Sequence, residues 1–348
     1  MSLWSPQLRV GIDIGNNSIK LIALNKKNNS VYRAESANLI GDKLAHEPQD
    51  ITSTLIKSVI GDMLQDIPCK KATFNISVSV PYNNLFVIQI PLVNDSEIRQ
   101  AIYWDLSALL PDPVDQYEFD FQVLNRDRKA KQITLIVGAV PKKNIDTVLK
   151  SLVKLANKIP VIEIDMLAAL DLFLATEYDN ASTIGFLQLG AEQSTYTIIS
   201  KNQNPAFLSL PFGGNMLDTI ISSQLGISFI AANEYRQSGE LYRKIHQKSS
   251  SEAALEREIP KAIVAFIKSL IQFNARFSHN TGETVSKIYA TGGLLNDRFI
   301  GDVLQIDQYF IDLPCQFWEP LSAYLKNGEL ESINKFAYAS ALGVALRD

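Results

Sequence analysis

Residues 10–20 read VGIDIGNNSIK, in which apolar side chains alternate with two glycines and one acid, Asp13. This two-residue period predicts a strand with one apolar face and one nearly bare face. The Gly-Asn-Asn sequence that follows predicts a tight turn, because glycine and asparagine accept positive φ angles. The next residues, SIKLIAL, predict a second strand. The stretch therefore predicts a hairpin whose bare face carries a carboxylate.

A second hairpin of the same kind follows half a chain later. Residues 183–200 read TIGFLQLGAEQSTYTIIS, which is again a strand, a glycine, a polar turn and a strand. Gly15 and Gly190 lie 175 residues apart in a chain of 348, so the two hairpins indicate an internal structural repeat. We therefore expect two α/β units of similar design, which also suits a chain of this length.

The composition indicates a globular chain and argues against several kinds of site. Hydrophobic residues make up 46% and charged residues 20%, and the net charge of −4 lacks the basic field that nucleic acid requires. Cys69 and Cys315 form no disulfide framework, and three histidines in all make a His-based metal site improbable. The most apolar run, 133–140, is too short to span a membrane, so no direct membrane insertion is expected.

The part of the chain between the two hairpins predicts an insertion. A βαββα pattern covers 73–160 and interrupts what otherwise has the pattern of one α/β unit. We therefore expect an inserted α+β subdomain at 73–160. The first unit would comprise 1–72 and 161–182, and the second unit would comprise 183–348.

Several motifs, taken together and in order, resemble the actin-like ATPase superfamily. They are GIDIGNNSIKLIAL, AIYWDLSALLPDPVDQYEFDFQVL, PFGGNMLDTII, AANEYR and YATGGLL. Within that superfamily the chain resembles the PilM branch, a relative of FtsA that takes part in type IV pilus assembly. The resemblance implies an α/β, actin-like fold, which is a duplicated RNase H-like fold, with an inserted α+β subdomain.

The resemblance also implies a cleft between the two hairpins that holds ATP and Mg²⁺. Asp13 would hold Mg²⁺ through water, and Gly11 and Gly15 would let the backbone approach the phosphates. Taken alone, the first hairpin also suits a core strand with a solvated acid. The implied nucleotide-binding residues are Asp13, Gly15, Asn16, Asn17, Ser18, Lys20, Gly190, Glu192, Gln193, Gly214, Arg236, Gly292, Gly293 and Leu294.

Departures from the superfamily pattern predict that ATP hydrolysis is slow or absent. Gln188 stands where relatives usually carry an acid, and an amide cannot balance the charge of Mg²⁺. Glu192 and Gln193 occupy a turn where small residues are common, and negative charge there opposes a γ-phosphate. In AANEYR, Asn233 and Arg236 stand where relatives often place glutamate and lysine.

Asp165, in VIEIDMLAAL, has two interpretations of equal weight. The stretch resembles the connecting motif in which related ATPases place an acid that orients the attacking water. Asp165 and Gln188 are therefore the candidate catalytic residues. The carboxylate can equally cap the helix that follows it.

The resemblance implies an adaptor as the first functional hypothesis. Such a protein would bind ATP on the cytoplasmic face of the inner membrane and dock the short cytoplasmic tail of a PilN-like protein. It would also meet other inner-membrane components of the pilus, and whether it self-associates is left open. An active sugar kinase or ATPase of the same fold and an FtsA-like division protein are the alternatives.

The inserted subdomain is the expected partner site, because it contains none of the phosphate motifs. Tyr103 and Trp104 lie on the predicted helix 95–110, and aromatic side chains suit a peptide-binding surface. The two residues can equally complete the subdomain's own core. The apolar side of this helix is predicted to consist of Ile98, Ile102, Leu106, Leu109 and Leu110.

Overall fold

Three β-sheets organise the protein in a computed structural model, two with five strands and one with three. The strands and helices below are numbered in chain order. The structure describes residues 7–39, 53–79, 84–152, 159, 161–240, 243, 253–297, 300–301, 304, 313–325 and 333–347.

The first five-stranded sheet contains the opening hairpin. Its strands are β1 (Leu8–Ile14), β2 (Ser18–Asn25), β3 (Val31–Asn38), β4 (Ala72–Val78) and β8 (Ile162–Ile164). They run in the order β3-β2-β1-β4-β8, with β1, β2 and β3 antiparallel and β4 and β8 parallel to β1. The predicted hairpin is therefore the middle of a larger sheet.

The second five-stranded sheet repeats this design. Its strands are β9 (Ile184–Leu189), β10 (Ser194–Ile199), β11 (Ala206–Leu210), β12 (Ile288–Thr291) and β13 (Cys315–Phe317). The order β11-β10-β9-β12-β13 again joins an antiparallel meander to two parallel strands. The repeat predicted from the two glycine turns is confirmed at the level of sheet topology.

A third, smaller sheet lies between these two in the sequence. It consists of β5 (Leu85–Pro91), β6 (Tyr117–Asp127) and β7 (Gln132–Pro141) in the order β5-β7-β6, and helix α2 (Asp95–Leu109) packs on it. Helix α2 begins with a capping box formed by Asn94 and Glu97. Ile98, Ile102 and Leu106 are buried in its core as predicted, and so is Leu110, but Leu109 is 48% exposed.

From the strand pairing we infer an insertion of residues 85–141, which is shorter than the predicted segment 73–160. β4, at the start of the predicted segment 73–160, pairs with β1 and β8 in the first sheet. Helix α3 (Lys142–Ser151) packs against helix α1 (Ser53–Met63) and contributes Val148 to the first sheet's core. The sequence pattern identifies these elements but does not reveal the sheet or helix with which each one pairs.

The remaining helices cover the two large sheets. They are α4 (Asp165–Thr176), α5 (Gly214–Leu225), α6 (Phe229–Gln237), α7 (Ala253–Thr281) and α8 (Ala339–Leu346). Helix α8 is buried along almost its whole length and packs against α4 and β1. Among the described residues, no helix combines the length and the apolar character that crossing a bilayer requires.

Gly11, on the bare face of β1, makes room for a helix. The prediction that Gly11 lets the backbone approach a nucleotide is therefore wrong. A Cβ atom at Gly11 would lie 1.9 Å from the carbonyl oxygen of Ala341 and 2.9 Å from Cβ of Ala345. Both residues belong to α8. Glycine is required at this position because the helix backbone lies directly against the strand.

Candidate functional site

The two hairpin turns, one after β1 and one after β9, lie on opposite sides of a single cleft. All the predicted nucleotide-binding residues line it except Gly214, Arg236 and Leu294, and both catalytic candidates, Asp165 and Gln188, line it as well. The Gly-Gly turn after β12 lines the remaining side together with Phe336, Ala337, Ala339 and Ser340. The structure thus brings together residues from both halves of the repeat.

Asp13 is 5% exposed and is held by two neighbours. The hydroxyl of Ser77 donates a hydrogen bond to its Oδ1 at 2.9 Å, and Nζ of Lys20 lies 3.4 Å from its Oδ2. The strand register explains this geometry, because Asp13 stands opposite Lys20 on β2 and opposite Ser77 on β4. No local sequence pattern marks Ser77 as a site residue, because only the parallel pairing of β4 with β1 brings it beside Asp13.

Asp165 is the first residue of α4, while the N-cap position belongs to Ile164. Its Oδ1 accepts a hydrogen bond of 2.7 Å from the backbone N–H of Met166. Burial, and after it the nearby charge of Asp13, raise the pKa of Asp165 to about 7, although hydrogen bonds from Met166 and Ser79 oppose the rise. Near neutral pH the carboxyl can therefore take up or release a proton.

Gln188 leaves one buried hydrogen-bond acceptor without a donor. Its Nε2 donates to the hydroxyl of Ser340 at 3.2 Å, but its Oε1 is buried and accepts no hydrogen bond from the described residues. An unpaired buried acceptor costs free energy, which a water bound to Mg²⁺ could recover by donating to it. The polar groups of Gln188 and Asp13 therefore fit a hydrated Mg²⁺ ion. Within the described ranges, no three His, Cys, Asp or Glu side chains form a direct metal site.

Two pairs of side chains join the halves of the protein across the cleft. Nδ2 of Asn16 donates to a carboxylate oxygen of Glu192. The amides of Asn17 and Asn215 exchange hydrogen bonds, one of them 3.1 Å long. The cleft volume is about 80 Å³, whereas ligand pockets usually measure roughly 300–1,000 Å³. The cleft is therefore narrower than such pockets, and these two contacts bridge its two sides.

Arg236 lies away from the cleft in a buried ion-pair network. Its Nε lies 2.6 Å from one oxygen of Asp218, and its Nη1 lies 3.2 Å from an oxygen of Asp297. Asn233 also donates to Asp218, at 2.7 Å. These bonds join α5, α6 and the turn after β12. Arg236 and Asn233 therefore hold these three elements together.

Gly214 and Leu294 also lie outside the cleft lining. A Cβ atom at Gly214 would lie 2.9 Å from Nη2 of Arg236, so this glycine makes room for the guanidinium group. The side chain of Leu294 is buried in the core of the second large sheet. Both residues therefore lie in the packing beneath the cleft and not on its surface.

Comparison with known proteins identifies the fold and the family. Among solved structures, the PilM-PilN type IV pilus biogenesis complex is similar, with a TM-score of 0.77, 18% identity and coverage of 98% of this chain and 99% of that chain. The ethanolamine utilization protein EutJ from Carboxydothermus hydrogenoformans has a TM-score of 0.51, 14% identity and coverage of 99% and 91%. A Bacteroides thetaiotaomicron protein with an actin-like ATPase fold has a TM-score of 0.51, 8% identity and coverage of 99% and 97%.

These likenesses confirm the predicted actin-like fold. No match is found among curated proteins. The family model described as type IV pilus assembly protein PilM matches residues 11–348. Because this match spans nearly the whole chain, the protein belongs to the family of type IV pilus assembly proteins PilM.

Proposed function

We propose that this protein is a nucleotide-binding adaptor of a type IV pilus. It binds Mg-ATP in the cleft and docks the cytoplasmic tail of a PilN-like protein at the inner face of the inner membrane. The observation that carries this proposal is the convergence of both glycine turns, Asp13 and Lys20 on one cleft, in a chain of the PilM family. The PilM-PilN complex among similar structures supports the choice of partner.

Different cleft residues would bind the metal ion, the phosphates and the base of the nucleotide. Asp13 would hold Mg²⁺ through water molecules, and the ion would neutralise part of the phosphate charge. Lys20 and the backbone N–H groups of the 15–18 turn would meet the phosphate oxygens, because successive N–H groups in a turn form a nest for anions. Gly292 and Gly293 would let a base approach the backbone of the turn after β12.

Hydrolysis is expected to be slow or absent. Gln188 adds no negative charge beside the ion, and Glu192 places a carboxylate where the γ-phosphate would approach. Asp165 favours the second candidate function, an ATPase, because burial raises its pKa to about 7 and suits it to accept a proton from water. Steady turnover by the wild-type protein near the roughly 10 s⁻¹ median of enzymes would support that second function.

Calorimetry with Mg-ATP tests the nucleotide site. Replacing Asp13 by alanine should weaken binding by about 1–3 kcal/mol, which is the scale of losing a charge-assisted contact. The same replacement at Asp62, an exposed residue of α1, should leave binding unchanged. If the wild-type protein gives no heat with ATP, ADP or GTP at high protein concentration, the nucleotide proposal fails.

Capture from membranes tests the adaptor function. The purified protein is incubated with solubilised membranes, with and without Mg-ATP, and the bound proteins are identified. Recovery of a small membrane protein with one transmembrane helix and a short cytoplasmic tail supports the adaptor. Phosphorylation of added sugars would instead support a kinase of the same fold.

A further inference from the structure

Helix α2 presents the aromatic side chain of Trp104 to solvent. Trp104 is 65% exposed, the largest value among the large hydrophobic residues that the structure describes. Tyr103 contacts it edge to face, with ring centroids 5.8 Å apart and an interplanar angle of 88°. The hydroxyl of Tyr103 donates a hydrogen bond of 3.1 Å to Oδ1 of Asp115. The indole ring is therefore supported by its neighbour and stays available for contact.

Trp104 does not complete the core of the small sheet. Ile102 and Leu106 are fully buried on the opposite side of α2, and Tyr103 packs partly against the same core. At about 3.6 residues per turn, Trp104 points away from that buried side, with Tyr103 on one flank and Asp105 on the other. Of the two interpretations of Trp104, the exposed contact residue is the one that the structure supports.

The surface around Trp104 is strongly acidic. Residues 95–120 contain seven acids and one base, Arg99. Two of the acids are paired with cations, Asp95 with Arg126 and Glu118 with Lys142. The other five acids form no ion pair among the described residues. Glu97 belongs to the capping box of α2, and the remaining four are Asp105, Asp112, Asp115 and Asp120.

An exposed indole with an acidic rim suits a cationic segment. Lys and Arg are attracted to the face of tryptophan and to carboxylates at the same time. Cytoplasmic segments beside a transmembrane helix carry an excess of Lys and Arg, whereas anionic lipid headgroups are repelled by this surface.

We propose that Trp104 and Asp105 of α2, together with Asp112 and Asp115 of the segment that follows and packs against it, bind a Lys/Arg-rich cytoplasmic segment of an inner-membrane partner. The proposal rests on the adaptor function and names the surface and the partner's chemistry. Binding places an arginine or lysine of the segment over the indole and its other cations beside the aspartates. Because Asp112 and Asp115 are exposed and Asp105 is half-buried, salt screens their charges, and the affinity falls as salt rises.

Fluorescence anisotropy of the full chain with two labelled synthetic peptides tests the surface. One peptide alternates leucine and arginine over twelve residues, and the other has glutamate in place of arginine. We expect binding of the arginine peptide alone. Trp104→Ala should weaken it at least about tenfold, as for an aromatic anchor at an interface. Asp105→Asn with Asp112→Asn should weaken it about threefold to tenfold and reduce its salt dependence.

A matched control and two opposing outcomes complete the test. Ile271→Ala removes an exposed apolar side chain from α7 and should leave the affinity unchanged. Equal affinity of wild type, Trp104→Ala and the double variant for the arginine peptide overturns the proposal. Trp104-dependent binding to vesicles of phosphatidylglycerol without peptide also overturns it, because the surface would then recognise lipid.

Capture of a PilN-like tail separates this inference from the adaptor function. Loss of capture in Trp104→Ala, with Mg-ATP binding and melting temperature unchanged, supports the inference. Undiminished capture by Trp104→Ala overturns it and leaves the adaptor function standing. If the wild type captures no tail, the adaptor function fails, and the arginine peptide alone decides for or against the surface.

Discussion

At the scale of single residues, the cleft carries more negative than positive charge. The cleft is lined by three acids, Asp13, Asp165 and Glu192, and by one base, Lys20, which lies beside Asp13. A phosphate ligand therefore needs a divalent cation, protonation of a carboxyl group or displacement of Glu192. Local sequence predicted these four residues, because all lie in or beside the glycine turns or the connecting motif. It did not predict that Glu192 bonds Asn16, a residue 176 positions earlier.

Replacing Glu192 by alanine should strengthen nucleotide binding. The change removes a negative charge from the phosphate approach and releases one of the two contacts that bridge the cleft. We expect Mg-ATP to bind about 5–30 times more tightly, which corresponds to about 1–2 kcal/mol. Calorimetry measures the effect. Asn215→Ala removes the contact with Asn17 without changing the charge of the cleft. If both variants bind Mg-ATP more tightly than wild type, the gain comes from loss of the contacts and not from loss of the negative charge. Unchanged or weaker binding in Glu192→Ala would refute the role given to this residue.

Asp165 should make the stability of the protein depend on pH. Burial raises its pKa to about 7, so the folded state binds a proton that the unfolded state releases near pH 4. The free energy of unfolding should therefore fall as pH rises from about 4 to 7, by at most about 4 kcal/mol. Asp165→Asn should abolish this fall and be more stable than wild type at pH 8. Urea unfolding in EDTA at pH 5 and pH 8 measures it, and equal pH dependence in the two proteins would contradict the assignment.

At the scale of elements, the periodicity of the sequence predicted strands and helices but not their neighbours. The strand β4 has the same alternation whether it belongs to the insertion or to the first sheet. Its place beside β1 is decided by parallel pairing, which matches Asp13 with Ser77. Gly11 shows the same limit, because a glycine in a strand leaves room equally for a ligand or for a helix. The last helix, α8, fills that space from the far end of the chain.

Gly11→Ala tests the packing of α8 on β1. The added Cβ would meet backbone atoms of α8, which cannot move aside as the end of a side chain can. We expect a loss of about 3 kcal/mol in the free energy of unfolding, within the usual cost of overpacking. Gly61→Ala is the matched control, because Gly61 lies in helix α1 and a Cβ atom there would have no neighbour within 4 Å. It should stabilise the protein by about 0.5–1 kcal/mol. The free energy of unfolding is measured in urea. If Gly11→Ala proves more stable than Gly61→Ala, the packing role of Gly11 is disproved.

At the scale of the whole molecule, the small sheet has a hydrophobic core of its own beside the two large sheets. Its core consists of residues between 86 and 139, whereas Leu85 and Val140 pack against the core of the first large sheet. The two ends of the insertion are adjacent, because the N–H of Ala139 donates a 2.9 Å hydrogen bond to the carbonyl of Asn84. The cleft lining includes no residue of the insertion. The proposed nucleotide cleft and the proposed docking surface therefore lie in separate parts of the fold.

Excision of the insertion should separate the two functions. A variant that joins Leu85 to Val140 through a three-residue Gly-Ser-Gly linker keeps β4 between β1 and β8, whereas deletion of 73–160 would remove that strand. We expect the excised protein to bind Mg-ATP with an affinity within about threefold of wild type, because every cleft residue remains. It should lose capture of the PilN-like tail. The full chain with Trp104→Ala serves as the control, since it keeps the subdomain and changes only the proposed contact surface. If the excised protein is folded, binds Mg-ATP and still captures the tail with unchanged affinity, the docking site lies on the actin-like framework itself.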